Sequence, residues 1–148
     1  MNSERQPWDD FFMSLAETYA KQSTCKRAHV GCVIVSGNRQ IGAGFNGPIS
    51  GDEHCKNPLV CVENDHCKRA MHPELNAVLQ AMRLAPDMVP SSTAYVTHYP
   101  CIDCYKVLAQ VGVARVVYLN DYRIDLGVQK LRERKQDCPV LEKYDRTK

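Results

Sequence analysis

His72-Pro73-Glu74 and Pro100-Cys101-Ile102-Asp103-Cys104 are the two stretches around which this 148-residue chain is organised. They supply one imidazole and two thiolates, a ligand set that suits a catalytic zinc ion and leaves the fourth tetrahedral position open for water. Two thiolates also cancel the charge of the ion. The stretches therefore predict a zinc site built from His72, Cys101 and Cys104.

Glu74 lies close to the ligand His but is not needed as a ligand, which leaves it available to move protons. The pattern H-x-E followed by P-C-x-x-C is typical of zinc-dependent nucleobase deaminases. In that chemistry a zinc-activated water attacks a ring carbon that bears an exocyclic amine. Glu74 would take the proton from water, pass it to the adjacent ring nitrogen and then protonate the leaving ammonia. A purely structural zinc site would not explain an acid at this position.

Both stretches are predicted to begin helices, over residues 73–85 and 101–110. The first helix has Leu75, Val78, Leu79 and Met82 at inward spacing. Unpaired N–H groups and the helix dipole favour thiolates at the start of the second helix. Its two cysteines are three residues apart, so they share one helix face.

The remaining elements are predicted on both sides of these helices. A helix covers 8–22, and strands over 28–36 and 39–45 flank a Gly-Asn turn. Strands follow at 93–98 and 113–119, then a helix near 124–133 and a short strand near 140. This order predicts an α/β fold of three layers, α-β-α, around a mixed sheet of about five strands. Residues 1–148 are expected to form one domain.

Composition excludes several classes of function. Apolar residues make up 44% and charged residues 24% of the chain, which is ordinary for a globular domain. The net charge of +2 is too small to indicate a nucleic-acid partner. No apolar run approaches the length of a membrane span, and residues 1–8 are polar. We therefore expect a cytoplasmic protein without membrane or nucleic-acid partners.

Further stretches extend the two metal motifs over most of the chain. They include Trp8-Asp9-Asp10-Phe11-Phe12-Met13, Ser23-Thr24-Cys25, Val30-Gly31, Gly44-Phe45-Asn46-Gly47, Glu74-Leu75-Asn76-Ala77 and Tyr95-Val96-Thr97-His98-Tyr99-Pro100-Cys101. On these residues the chain resembles the deoxycytidylate (dCMP) deaminases of bacterial and phage type, in the cytidine deaminase-like superfamily. The resemblance implies hydrolytic deamination of dCMP to dUMP and ammonia, which supplies dUMP for thymidylate synthesis.

The resemblance also implies a set of substrate contacts. Asn46 would bind the deoxyribose hydroxyl, although turn chemistry alone also accounts for an Asn there. Arg27 is the first candidate for the 5′-phosphate, because a guanidinium offers two parallel donors. Most of the 19 Lys and Arg residues must simply be solvated. The other candidate contacts are Lys26, Val30, Tyr122 and Arg123.

Pro73 departs from the family pattern, which usually has Ala between the zinc His and the Glu. Pro suits the first position of a helix, so the fold should accept it. The family is understood to use the backbone N–H at this position to hold the 2-carbonyl oxygen of the pyrimidine, and Pro has no N–H. Either the Glu74 N–H or Asn76 takes this role, or affinity falls, or the preferred base differs.

A second, structural zinc is the other implication of the resemblance. Eight cysteines are many for such a chain, and four of them match the family's structural site: Cys25, Cys55, Cys61 and Cys67. A closed four-thiolate site would order the loop at about 47–71, which has no clear periodicity. His54 and His66 are alternative ligands, and four unrelated free thiols are the simplest alternative.

Two alternative functions stay open at this stage. The chain could deaminate a C5-modified deoxycytidylate, such as 5-methyl-dCMP, or the triphosphate dCTP. It could instead be a non-catalytic zinc-binding module, although Glu74 argues against that. The family also tends to form hexamers that dCTP activates and dTTP inhibits, so the resemblance implies a homo-oligomer with these regulators.

Overall fold

The computed structural model describes residues 4–25, 27–54, 62–63, 66–67, 69–121 and 123–146, with only the backbone described at 62–63 and 66–67. Within these residues there are four α-helices: α1 (Trp8–Ala20), α2 (Pro73–Leu84), α3 (Ile102–Gln110) and α4 (Leu126–Arg134). The strands are β1 (Gly31–Ser36), β2 (Arg39–Phe45), β3 (Val62–Glu63), β4 (His66–Cys67), β5 (Thr93–His98), β6 (Arg115–Asn120) and β7 (Val140–Lys143). No helix in the described part of the chain is long and apolar enough to span a bilayer.

The main sheet has five strands in the order β2-β1-β5-β6-β7. Strand β1 pairs antiparallel with both β2 and β5, whereas β5, β6 and β7 run parallel. The predicted mixed sheet is therefore confirmed. The turn between β1 and β2 is also confirmed, since Gly37 and Asn38 have φ values of 56° and 59°, as a type I′ hairpin requires.

The alternation of β1 separates two hydrophobic layers. Cys32 and Ile34 point to a core shared with α2, α3 and α4, whereas Val33 and Val35 point to a core shared with α1. All four side chains are buried. Successive residues of a strand face opposite sides of a sheet, so one short apolar strand supplies both cores. The resulting arrangement is the predicted three-layer α-β-α fold.

Helix α2 lies unusually close to strand β2. A Cβ atom added to Gly42 would lie 2.3 Å from the backbone oxygen of Ala77. One added to Gly44 would lie 2.7 Å from the backbone oxygen of Pro73. Only glycine permits this approach of a helix backbone to a strand. The packing therefore fixes the first turn of α2, and with it Glu74, against the sheet.

This close approach corrects part of the predicted inward face of α2, on which Val78 is buried as expected. Leu79 and Met82 are 53% and 43% exposed, whereas the buried positions include Ala77, Val78 and Ala81. Large side chains would hold the helix away from the two glycines of β2. The small residues therefore face the sheet, and the prediction was wrong for Leu79 and Met82.

Arg115, at the start of β6, links the start of α1 to the neighbouring strand β7. Its guanidinium donates to both carboxylate oxygens of Asp9, at 3.0 and 2.7 Å, and to Glu142 Oε2 at 3.1 and 2.8 Å. The Tyr95 hydroxyl also donates to Asp9, at 2.6 Å. The hydrogen bonds from Arg115 lower the pKa of Asp9 below its ordinary value. This network connects the start of α1 to β5, β6 and β7.

We predict that Arg115→Met lowers the free energy of unfolding by about 1–2 kcal/mol at neutral pH, since the charged hydrogen bonds are partly screened by solvent. The folded-state pKa of Asp9 is depressed. Its stabilisation is therefore complete above its unfolded pKa of about 3.9 and is lost as the pH falls through the lower folded value. Urea titrations at neutral pH and below about pH 4 should show a difference from wild type that shrinks in acid.

Arg134→Met is the matched control for this prediction, because Arg134 is exposed on α4. We expect its unfolding midpoint to match that of the wild type at both pH values. Equal midpoints for the Arg115 and Arg134 variants would show that the network contributes nothing measurable.

Candidate active site

The predicted site residues converge on one edge of the main sheet. Strands β2, β5 and β6 end at this edge, and β1 begins there because it runs antiparallel to β5. Helix α2 begins directly after His72, and helix α3 begins directly after Cys101. The carboxyl edge of an open α/β sheet is where such folds bind their ligands. The topology thus brings together residues that are far apart in the sequence.

Three side chains form a donor group with the dimensions of a zinc site. The donor atoms of His72, Cys101 and Cys104 all lie within 4.8 Å of one another. The Nδ1 atom of His72 is 3.2 Å from the Cys104 sulfur and 3.6 Å from the Cys101 sulfur. Tetrahedral zinc with its usual bond lengths separates a nitrogen and a sulfur ligand by about 3.6 Å. The donor set and its spacing therefore fit zinc, as predicted.

The same three groups share protons among themselves. Hydrogen bonds from Cys104 and His72 lower the pKa of the Cys101 thiol to about 4, and the backbone N–H of Cys104 also donates to its sulfur. The hydrogen bond to Cys101 raises the pKa of His72. The hydrogen bond with Cys101, together with burial, raises the pKa of Cys104 well above its ordinary range. A divalent cation would displace the protons that these donors share.

Glu74 lies beside this group in the first turn of α2 and is only 4% exposed. Burial raises the pKa of its carboxyl to about 7, against an opposing hydrogen bond from its own backbone N–H. A carboxyl with a pKa near neutrality can both accept and return a proton at neutral pH. A buried acid of this kind, next to a metal-ligand group, marks a functional site more than a structural one.

A cleft of about 510 Å³ opens beside the donor group. Along with His72, Glu74 and Cys101, its walls include four of the residues predicted to contact substrate: Arg27, Val30, Asn46 and Arg123. The other two, Lys26 and Tyr122, lie outside the described residues. The segments that carry these side chains precede β1, follow β2 and follow β6.

The amide of Asn46 makes two hydrogen bonds to the backbone of the segment that leads into β1. Its Oδ1 accepts from the Val30 N–H at 2.9 Å, and its Nδ2 donates to the Ala28 carbonyl at 2.8 Å. Asn46 is 9% exposed and still lines the cleft. The residue therefore has a positioning role that the sequence did not indicate. The predicted contact with a deoxyribose hydroxyl stays a prediction.

The predicted second zinc site lies mostly beyond what the structure describes. Cys55 and Cys61 lie outside the described residues, as do the side chains of Cys67 and His66. Cys25 is buried and lines the cleft. His54 is exposed, and its Nδ1 lies 2.5 Å from the Thr24 hydroxyl.

Among the cleft residues that sequence reasoning missed are two rings and a carboxylate. His98 is the last residue of β5 and Tyr99 follows it, whereas Asp125 precedes α4. The His98 ring is held by the Thr97 hydroxyl at 2.9 Å from Nδ1, and burial lowers its pKa. The sequence did contain signals for them. His98 and Tyr99 directly precede a metal-ligand motif, and Asp125 lies at a helix start, where an Asp indicates a capping position.

The fold and site define a class of α/β protein with a Cys₂His donor group suited to a metal ion and an acid beside it. A family model described as the cytidine and deoxycytidylate deaminase zinc-binding region matches residues 6–120. The chain belongs to this family. The expected deaminase family, fold class and zinc-binding character are thereby confirmed, whereas the number of zinc ions is not decided.

Two curated relatives span most of this chain. ComE operon protein 2 of Bacillus subtilis is 42% identical over 132 residues, which cover 88% of this chain and 68% of that protein. The deoxycytidylate deaminase of Mycobacterium phage D29 is 35% identical over 125 residues, 77% of this chain and 95% of the phage protein. Against the deoxycytidylate deaminases of two yeasts, the chain spans only 40% of the relatives' length.

A solved structure of the same kind supports the architecture. The dCMP deaminase of cyanophage S-TIM5, in complex with dCMP and dUMP, matches with a TM-score of 0.78 and 32% sequence identity. The match covers 95% of this chain and all of the phage chain. The similarity thus extends well beyond the two metal motifs.

Proposed function

We propose that this protein is a zinc-dependent deaminase that converts dCMP and water to dUMP and ammonia. The observation that carries the proposal is the buried carboxyl of Glu74 beside the His72, Cys101 and Cys104 donor group, at the wall of a nucleotide-sized cleft. The relatives named as deoxycytidylate deaminases support the choice of substrate. The product would supply thymidylate synthesis with dUMP.

Each catalytic role belongs to a named side chain. His72, Cys101 and Cys104 would hold zinc, which when bound supplies a Lewis acid for activating water. Glu74 would accept the proton of the attacking water and deliver it to the ring nitrogen. It would then take the remaining proton of that water from the new hydroxyl on the ring carbon and deliver it to the exocyclic amine, so that the C–N bond breaks, the hydroxyl becomes the carbonyl of dUMP and ammonia leaves. A pKa of about 7 suits a carboxyl that must carry the proton in both directions.

Nucleotide recognition is assigned to the two arginines of the cleft. Arg27 and Arg123 both line it and could each offer bidentate donors to a 5′-phosphate. Lys26 and Tyr122 are their sequence neighbours and stay as additional candidates. Val30 would pack against the nucleoside, and Asn46 would bind the sugar hydroxyl in addition to holding residues 28–30.

Pro73 keeps a modified base, such as 5-methyl-dCMP, as the second candidate substrate. It is buried at the first position of α2 and lines the cleft without an N–H to offer. The two replacement donors already make other hydrogen bonds: Asn76 Nδ2 uses one of its two N–H groups on the Phe45 carbonyl at 3.0 Å, and the Glu74 N–H donates to its own carboxylate. Kinetics with dCMP, 5-methyl-dCMP, dCTP and deoxycytidine would rank these substrates.

The proposal also includes a second zinc site and an oligomeric state. A second zinc on Cys25, Cys55, Cys61 and Cys67 would order the loop at about 47–71, with His54 or His66 as alternative ligands. A homo-hexamer regulated by dCTP and dTTP is the corresponding proposal for the oligomer. Both rest on the family resemblance.

We predict that Glu74→Gln lowers kcat for ammonia release from dCMP by about 10²–10⁴-fold, because the amide cannot carry the proton. Zinc content should stay at the wild-type value, since Glu74 is not a ligand. Glu133→Gln, on the exposed surface of α4, is the matched control and should keep full activity. Retained activity in the Glu74 variant would remove the proposed proton carrier.

We predict about two zinc ions per freshly purified wild-type chain, one at each proposed site. Cys104→Ser should lose one zinc, and Cys61→Ser should lose the other with a fall in thermal stability, because binding to a closed site is folding free energy. Cys138→Ser, at a partly buried position outside the donor group, is the control and should keep both ions. A single zinc in the wild-type chain would refute the second site.

We predict that Pro73→Ala keeps the fold and lowers or preserves the KM for dCMP, because it adds an N–H at the start of α2. A hydrogen bond of this kind contributes about 0.5–1.5 kcal/mol, so the change in KM should lie between a few-fold and about tenfold. Pro86→Ala, at an exposed proline after α2, should leave KM unchanged. Loss of dCMP activity with zinc still bound would instead place 5-methyl-dCMP ahead of dCMP.

A further inference from the structure

Asp125 joins the first turns of two helices at the edge of the candidate site. Its Oδ2 accepts from the Ile102 N–H at 2.7 Å, and its Oδ1 accepts from the Gly127 N–H at 2.8 Å. Ile102 begins α3 and directly follows the metal-ligand candidate Cys101, whereas Gly127 lies in the first turn of α4. One carboxylate therefore bridges the metal-binding helix and the next helix along the chain.

The contact between these two helix starts leaves little spare room. A Cβ atom added to Gly127 would lie 3.0 Å from Asp125 Oδ1 and 3.3 Å from the Cβ of Ile102. Both distances are tighter than ordinary van der Waals contact. The first turn of α4 therefore rests directly on the first residue of α3, and the Asp125 carboxylate fixes their relative position.

The segment that Asp125 anchors is also a wall of the cleft. Residues 123–127 all line it, on the side that follows β6. Arg123 has a φ of 57°, in the left-handed region that residues other than glycine rarely adopt. Such a backbone persists only where the surrounding structure holds it in place. The anchor two residues further along the chain is a structural feature that can do so.

We propose that Asp125 is a positioning residue that holds the cleft wall formed by residues 123–127, and with it Arg123, at a fixed place relative to Cys101. It thereby sets the preference for a phosphorylated nucleotide over the free nucleoside. This inference rests on the proposed function, because it assigns phosphate recognition to that wall. Asp125 acts through the backbone of residues 123–127 and not by contact with the substrate.

The variant Asp125→Ser tests the two hydrogen bonds of Asp125 separately, because it can keep the one with Gly127 and lose the one with Ile102. A serine hydroxyl can still cap α4 through the Gly127 N–H, but its shorter side chain cannot also reach Ile102. We expect faster hydrogen exchange at the Ile102 amide, a KM for dCMP raised about tenfold and a kcat within about threefold of wild type. The KM for deoxycytidine and the zinc content should not change. Asp137→Ser, at an exposed position before β7, is the matched control.

Three results would overturn this inference, and they are distinguishable from one another. An active variant that loses Ile102 protection but keeps the wild-type preference for dCMP over deoxycytidine would show that the wall is positioned by other contacts. Loss of zinc from the variant would show that Asp125 supports the metal helix and not the wall. A wild-type protein that fails to deaminate dCMP would overturn the proposed function itself, and the inference with it.

Discussion

The close packing of α2 against β2 is the constraint on which the candidate site depends. Gly42 and Gly44 let the helix backbone approach the strand to a distance at which no side chain would fit. This approach fixes the start of α2, where His72 and Glu74 lie. Helix α3 is fixed separately by β5, through the short connection that ends at Cys101. The candidate metal-binding group thus lies where two separately anchored helix starts meet.

Without a cation, the donor group relies on the hydrogen bonds that lower the pKa of Cys101 and raise the pKa of His72. A buried carboxyl and two thiols lie close together, and burial opposes ionisation of each of them. The helix starts offset part of this cost, since their N–H groups and dipoles favour negative charge. A zinc ion would offset more of it. The group is therefore better explained by selection for chemistry than for stability.

The parts of the fold that depend on local sequence could be predicted. The hairpin at Gly37-Asn38, the two helix starts and the succession of helices and strands along the chain follow from turn chemistry, ligand spacing and hydrophobic period. The full buried face of α2 could not be predicted in this way, although Val78 is buried as expected. Leu79 and Met82 have the spacing of a core face, yet the glycines of β2 decide which side of the helix is buried. That information lies about 40 residues away in the sequence, and only the tertiary packing uses it.

Local sequence and tertiary packing also contribute differently to the site: the motifs carry its chemistry, and the packing shapes the cleft. The candidate ligands and the proposed proton carrier occupy two short motifs, so their residue types and spacing predict them directly. The walls of the cleft come from segments before β1, after β2 and after β6, which the sheet topology brings to one edge. Asp125 and Asn46 both accept hydrogen bonds from the backbone of these segments, and so hold the walls in place without touching reacting atoms. Selectivity among deoxynucleotides would therefore depend on long-range geometry, since the sheet topology and not the two motifs positions the cleft walls.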